Sequence, residues 1–247
     1  MIKLEREVEP QGMIDNKAQW QSDLQSAIAN YGSYKKIPDK EKQKLISFYR
    51  NDAVRDGLIK SSFGKCAFCE CIPSEGGNIE IEHFKPKSKY PELTFEWDNF
   101  LPSCRKCNGS KDSHDTGVEP IINPYDIDPK DAFYFNDIEI RASNSNLKKQ
   151  AEKTIEVCGL NTVRLWKPRA DILISLRIFS RSIEEATEEL ANADTDRKRD
   201  NRIKKLREAI DTIEMLTDSA EKYSSFCCDF LERSDAYLKA KQLVENA

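Results

Sequence analysis

Histidine is nearly absent from this chain. Two occur in 247 residues, His83 and His114, so any proton transfer that needs an imidazole near pH 7 falls to one of two positions. Long apolar runs are missing as well. No stretch approaches the roughly 20 residues of a membrane-spanning helix, and the opening Met1-Ile2-Lys3-Leu4-Glu5 lacks the apolar centre of a secretory signal. The expectation is a cytoplasmic protein with no membrane attachment. Positive charge is not in excess either. Lys and Arg number 39 against 43 Asp and Glu, a net charge of −4, which argues against a protein that coats nucleic acid indiscriminately. A protein whose positive charge is local stays open. No internal repeat or low-complexity tract is visible.

What is present is a charged sequence, 33% Asp, Glu, Lys and Arg and 38% hydrophobic, long enough for one large domain or two small ones with a proper core. The eight cysteines are informative by their spacing. Cys66-Ala67-Phe68-Cys69 and Cys104-Arg105-Lys106-Cys107 are two Cys-x-x-Cys turns. Each puts two sulfurs on one ion, and together they complete a tetrahedral structural zinc site with no open position. Zinc so bound is a staple, not the catalyst. Cys71, Cys158, Cys227 and Cys228 are expected to stay reduced, in keeping with a cytoplasmic location; the pair Cys227-Cys228 has no metal spacing and suits packing near Phe226 and Phe230.

The fold expected is mostly α with a small zinc-stapled ββα core, an α+β arrangement in three segments. Residues 1–62 form a helical lead-in. Asp15 or Asn16 caps a helix with Trp20, Leu24, Ile28 and Tyr31 on one stripe, stopped by Gly32, and further helices open at Pro38-Asp39 and run through Val54 and Leu58. Residues 63–142 form the core with a following loop and hairpin. Gly76-Gly77-Asn78 turns into a strand, Ile79 to His83, whose alternation sets Ile79, Ile81 and His83 on one face and Glu80 and Glu82 on the other. A second short strand is expected near Leu93–Phe95, a helix from Arg105 to Lys111, a proline-rich loop over 112–130, and a hairpin about Asn136-Asp137. Residues 143–247 are expected to be helices only, including a long one over about 162–191 and another marked by Ile203, Leu206, Ile210 and Ile213.

The residues between and just after the cysteine pairs can do phosphodiester chemistry. His83 is the best base in the chain, Glu82 and Asn108 offer hard oxygen donors suited to Mg²⁺ or a similar divalent ion, and Asn99 can tie loops with both ends of its amide. Lys85, Lys87 and Lys89, with Arg105, Lys106 and Lys111, can make a locally basic face for phosphates. His114 is either a further metal or phosphate ligand or an exposed loop residue. The run Arg197-Lys198-Arg199 with Arg202, Lys204, Lys205 and Arg207 is either a nucleic-acid or partner surface or the solvated face of an amphipathic helix.

Over residues 63–115 this pattern resembles the HNH, or ββα-metal, endonucleases. His83 matches their first His, Asn99 in Trp97-Asp98-Asn99-Phe100-Leu101 the central Asn, and Asn108 the last His/Asn position. Glu82 stands where Asp is commoner. The resemblance implies His83 as general base, Asn99 as a structural brace, and Glu82 with Asn108, alongside His83, at a divalent catalytic ion. Over most of the chain, through Gly64-Lys65-Cys66-Ala67-Phe68-Cys69-Glu70, Glu82-His83-Phe84-Lys85-Pro86-Lys87-Ser88, Asn123-Pro124 and Asp128-Pro129, the sequence looks like PtuB-type HNH nucleases. These accompany an AAA/ABC-like, PtuA-like ATPase in Septu and some retron defence systems. A DNA-cleaving antiviral effector with an ATPase partner is what that likeness implies. The alternative is a catalytically weak zinc-binding adaptor that docks on the ATPase and regulates it. Sequence-specific DNA binding by a zinc module is a third reading, which the scarcity of base-reading side chains disfavours.

Overall fold

The computed structural model describes residues 1–75 and 77–247, and contacts divide it into two units, Met1–Phe133 with Ala142–Leu160, and Tyr134–Arg141 with Asn161–Ala247. The described residues are mostly helical, with two small two-stranded sheets. Among the described residues no helix is long and apolar enough to cross a membrane.

In the first unit an extended N-terminal segment leads into α1 (Gln11–Tyr31), α2 (Asp39–Ile46) and α3 (Asp52–Ser61). Helix α1 begins on Pro10, not at the Asp15 or Asn16 cap expected. Proline is pre-set for a helix start and its missing N–H costs nothing there. Gly32 closes α1 at φ 78°, a left-handed conformation that glycine adopts without penalty. The stripes of these helices bury Met13, Leu24, Ile46, Val54 and Leu58 with Phe95, Trp97 and Phe100 in one core. Trp97 reaches deep enough that its ring lies 3.0 Å from where a side chain on Gly57 of α3 would begin.

Strand β1 (Ile79–His83) pairs antiparallel with β2 (Phe100–Cys104), with Ile79 opposite Cys104 and His83 opposite Phe100. The second strand is therefore later than the expected Leu93–Phe95. Pro91 instead starts a single 3-10 turn at Pro91–Leu93, and Pro102 disguises β2 as a loop. Proline is tolerated because the Pro102 carbonyl points away from β1, to the Ala67 amide at 2.9 Å, and its nitrogen shares that outer side, so no ladder bond is lost. Helix α4 (Arg105–Lys111) follows β2 directly. The turn expected at Gly76-Gly77-Asn78 includes Gly76, outside the described residues. A long loop then leads to the hairpin β3 (Phe133–Asn136) and β4 (Glu139–Ala142), turned on Asp137 at φ 50° and Ile138; its residues Tyr134–Arg141 belong to the second unit. Helix α5 (Lys148–Val157) completes the first unit.

The second unit holds α6 (Val163–Ala191), α7 (Asp196–Glu214), α8 (Ser224–Glu232) and α9 (Asp235–Glu245). Helices α6, α7 and α9 pack on one another through stripes that include Leu176 and Ile183, Leu206 and Ile210, and Tyr237 and Ala240. Strand β4 is held within this unit by Asn161, whose Oδ1 accepts from Ile140 N at 3.0 Å and whose Nδ2 donates to Ile140 O at 2.9 Å.

Candidate metal centre and adjoining cleft

The two cysteine turns meet at the junction of β2 and α4. Cys66, Cys69, Cys104 and Cys107 are buried, and their sulfurs all lie within 4.8 Å of one another. A tetrahedral ion with metal–sulfur bonds of about 2.3 Å sets neighbouring sulfurs about 3.8 Å apart, and Cys69 Sγ lies 3.8 Å from Cys104 Sγ. Burial pushes the Cys66 thiol well up from its ordinary range, so a bound cation is what would make four dry thiolates tenable here. The donor set is soft and closed, and can hold a metal ion such as zinc. The loop closes on itself through Cys66 N to Cys71 O at 2.9 Å, and Cys104 Sγ accepts from Cys107 N at 3.4 Å to start α4. Clamping Cys104 and Cys107 thus fixes the first turn of α4 against β2.

The next turn of α4 carries chemistry. Asn108 Nδ2 donates to Glu80 Oε2 at 2.7 Å, and Lys111 Nζ to Glu82 Oε1 at 2.5 Å and His83 O at 3.1 Å. Glu80 and Glu82 therefore share the β1 face that meets α4. Lys111 is sealed from solvent on Glu82, and so is not the free phosphate-binding lysine expected. Burial raises the Glu82 pKa against the opposing pull of Lys111.

His83 points the other way, its ring edge-on to Tyr49 and Phe100 at 4.8 and 5.0 Å. Its Nε2 lies 2.9 Å from Thr94 O, and a carbonyl can only accept, so Nε2 carries the proton and Nδ1 is left as the basic nitrogen. Burial first, then the charge of Lys87, pushes the His83 pKa down to about 3, which keeps the ring neutral at pH 7.

Asn99 is spent on backbone. Its Oδ1 accepts from Lys85 N at 2.7 Å, and its Nδ2 donates to Lys85 O and Leu93 O at 3.0 and 3.1 Å. The N-terminal segment holds the same stretch from outside, with Arg6 on the carbonyls of Trp97 and Phe100 and Glu7 O accepting from Trp97 Nε1 at 2.9 Å. Truncating Asn99 to Ala strands an amide and two carbonyls. The expected cost is about 2–5 kcal/mol of stability, read by urea unfolding, with metal content unchanged. Asn99→Asp should fare little better, because a carboxylate accepts from Lys85 but cannot donate to the two carbonyls.

Glu82, His83 and Asn108 line one cleft of about 910 Å³, together with Glu80 and Asp112. Five cations, Lys35, Arg50, Arg55, Lys87 and Arg105, line it too, against those three carboxylates. Of the basic residues expected at such a face only Lys87 and Arg105 are there. Lys89 pairs with Asp115 at 3.3 Å, and Lys85 lies over the Tyr90 ring. Lys35, Arg50 and Arg55 come from the helical lead-in and carried no sequence signal. Glu80 did carry one, its place two residues before Glu82 on the same strand face. His114 is half-buried and tied to Glu119 O at 2.9 Å.

Fold and site together define a mostly helical protein with a buried four-cysteine group that could hold a metal ion and a mixed-charge cleft beside it. No family model matches the chain. It is 30% identical over 251 residues to Septu protein PtuB of Bacillus thuringiensis, across 99% of this chain and 87% of that protein. Septu protein PtuB of Bacillus mycoides strain KBAB4 is 29% identical over 204 residues, 70% of this chain and 67% of its own. Protein ea31 of Escherichia phage lambda is 39% identical over 105 residues, 38% of this chain and 34% of that one. The chain belongs to the PtuB family of Septu proteins, which implies a role in anti-phage defence.

Proposed function

We propose that this protein is a metal-dependent HNH endonuclease that hydrolyses phosphodiester bonds of DNA, as the nuclease effector of a Septu-type system with an ATPase partner. The observation that carries the reading is the run from antiparallel β1–β2 straight into α4, with Glu82, His83 and Asn108 on one cation-rimmed cleft. The four cysteines hold structural zinc. The donors left over suit a hard divalent ion such as Mg²⁺: Glu82 keeps Oε2 when Oε1 takes Lys111, and Asn108 keeps Oδ1 because its nitrogen is on Glu80. A divalent ion held there would neutralise charge on the phosphate and its leaving oxygen. His83 Nδ1 takes the proton of a water whose oxygen attacks phosphorus. The phosphorus–oxygen bond opposite breaks, and the departing alkoxide gains a proton from solvent. Arg50, Arg55, Lys87 and Arg105 hold the flanking phosphates, and Asn99 keeps the loop after His83 in place.

The Glu82–Lys111 pair supports a second reading, a zinc-stapled module that docks on the ATPase with its carboxylate never released. Titrating Mg²⁺ and Mn²⁺ into a supercoiled-plasmid assay, with and without the ATPase, separates the two. Conversion to nicked or linear DNA that follows the ion and stops with chelator is expected. No cleavage at any concentration of either ion, even with the partner present, leaves the docking module.

A further inference from the structure

The basic run of the sequence lies on the first half of α7. From Arg197 to Arg207 seven cations stand against one acid, Asp200, in a chain whose net charge is −4. Three are engaged within the unit. Lys198 pairs with Asp194 at 2.8 Å, Arg202 bonds Glu189 O, and Arg207 reaches Val244 O at 3.3 Å. The side chains of Arg197, Arg199, Lys204 and Lys205 are exposed and make no ion pair or hydrogen bond among the described residues. Arg197 and Lys204 lie two turns apart on one face with Lys205 beside them, opposite the buried Leu206, Ile210 and Ile213.

Helix stability alone would have chosen another arrangement. The macrodipole favours acids in the first turns and bases in the last; Asp196 in the first turn of α7 obeys this, and the residues after it do not. The first half of the helix is basic, its second half carries Glu208, Asp211 and Glu214, and its last turn has no base. Lys198 and Arg202 add a like-charge pair at i, i+4. Beyond the first turn the charge is placed against the macrodipole, and four of the cations keep no partner among the described residues.

We propose that the first half of α7 docks on the phosphate backbone of duplex DNA. The eight steps from Arg197 to Lys205 rise about 12 Å, the width of a major groove at about 12 Å, so cations at the two ends meet phosphates on both sides of it. A protein partner would ask for apolar or aromatic anchors within the patch. The exposed residues between these cations are Asp200 and Asn201. The choice of duplex DNA rests on the nuclease reading; the docking itself requires no cleavage.

The test uses the full chain in chelator, so that nothing is cut, and anisotropy of a fluorescent random-sequence duplex over a range of salt. Replacing Arg197, Arg199, Lys204 and Lys205 together by Ala should weaken binding at least about tenfold and flatten the slope of log K against log salt by roughly 2–4. The melting temperature should hold, since none of the four bonds to the chain. Glu208→Ala with Asp211→Ala should leave or tighten binding. Wild-type protein that fails to bind duplex, or a quadruple variant with unchanged affinity and slope, overturns the proposal. So does a variant that loses only the ATPase, which would make the surface a protein dock. Plasmid cleavage by wild type is scored separately, so the nuclease reading can stand while this one falls.

Discussion

Replacing His83 by alanine is expected to remove cleavage while leaving the cysteine site loaded. A positioned general base contributes roughly 10²–10⁴ in rate, and no second imidazole can take over, since His114 is tied to Glu119 O at 2.9 Å in another loop. Alanine also opens a void between Tyr49 and Phe100, against which the ring packs, and a cavity of that kind costs about 2–4 kcal/mol. Lost folding could then pass for lost chemistry. His83→Asn and His83→Gln fill more of the space without supplying a base, and both should be as inactive as alanine while melting closer to wild type. Single-turnover nicking, metal content and a thermal melt on all three variants decide it. Wild-type nicking by any of them would take the base role from His83.

How much of this was legible in the sequence differs by element, and the reasons are physical. The gathering of the four cysteines was readable because sulfur ligation imposes local spacing, and Cys66, Cys69, Cys104 and Cys107 do converge into a group that could hold a metal ion. The start of β1 and the face of Glu80 and Glu82 followed from alternation alone. Strand β2 did not, because Pro102 breaks the expected pattern, and only its pairing with Ile81 shows that the missing N–H faces outward. The true start of α1 was hidden because Asp15 and Asn16 look like caps, whereas Pro10 is well placed before a first turn. At the cleft, the partners of the expected residues were out of reach. That Lys111 sits on Glu82, that Glu80 fixes the amide of Asn108, and that Arg50 and Arg55 reach the same cleft from the lead-in are tertiary facts with no spacing rule behind them.

Replacing Cys104 by serine is expected to cost the protein its structural ion and much of its stability. Cys104 ends β2 and caps α4, and its sulfur is one of the buried four. Serine offers a hard, neutral oxygen where a thiolate is wanted, and leaves three cysteines without the fourth ligand that closes the shell. Structural zinc sites are worth about 10–16 kcal/mol in small peptides, so forfeiting even a third, roughly 4 kcal/mol, lowers the melting midpoint of a chain this size by about 8–16 °C. The second turn of α4 would lose its footing with the first, and with it the placing of Asn108 and Lys111 against β1. Removing the ion from wild type with a strong chelator should reproduce the effect. Cys228→Ser, on α8 and outside the four ligands, should keep both the ion and the melting temperature. Metal content by atomic emission and a thermal scan of the three samples suffice. A Cys104→Ser protein with its full complement of zinc and an unshifted melt would mean that the sulfurs gather for packing alone, and that α4 is held by the strand pair without a staple.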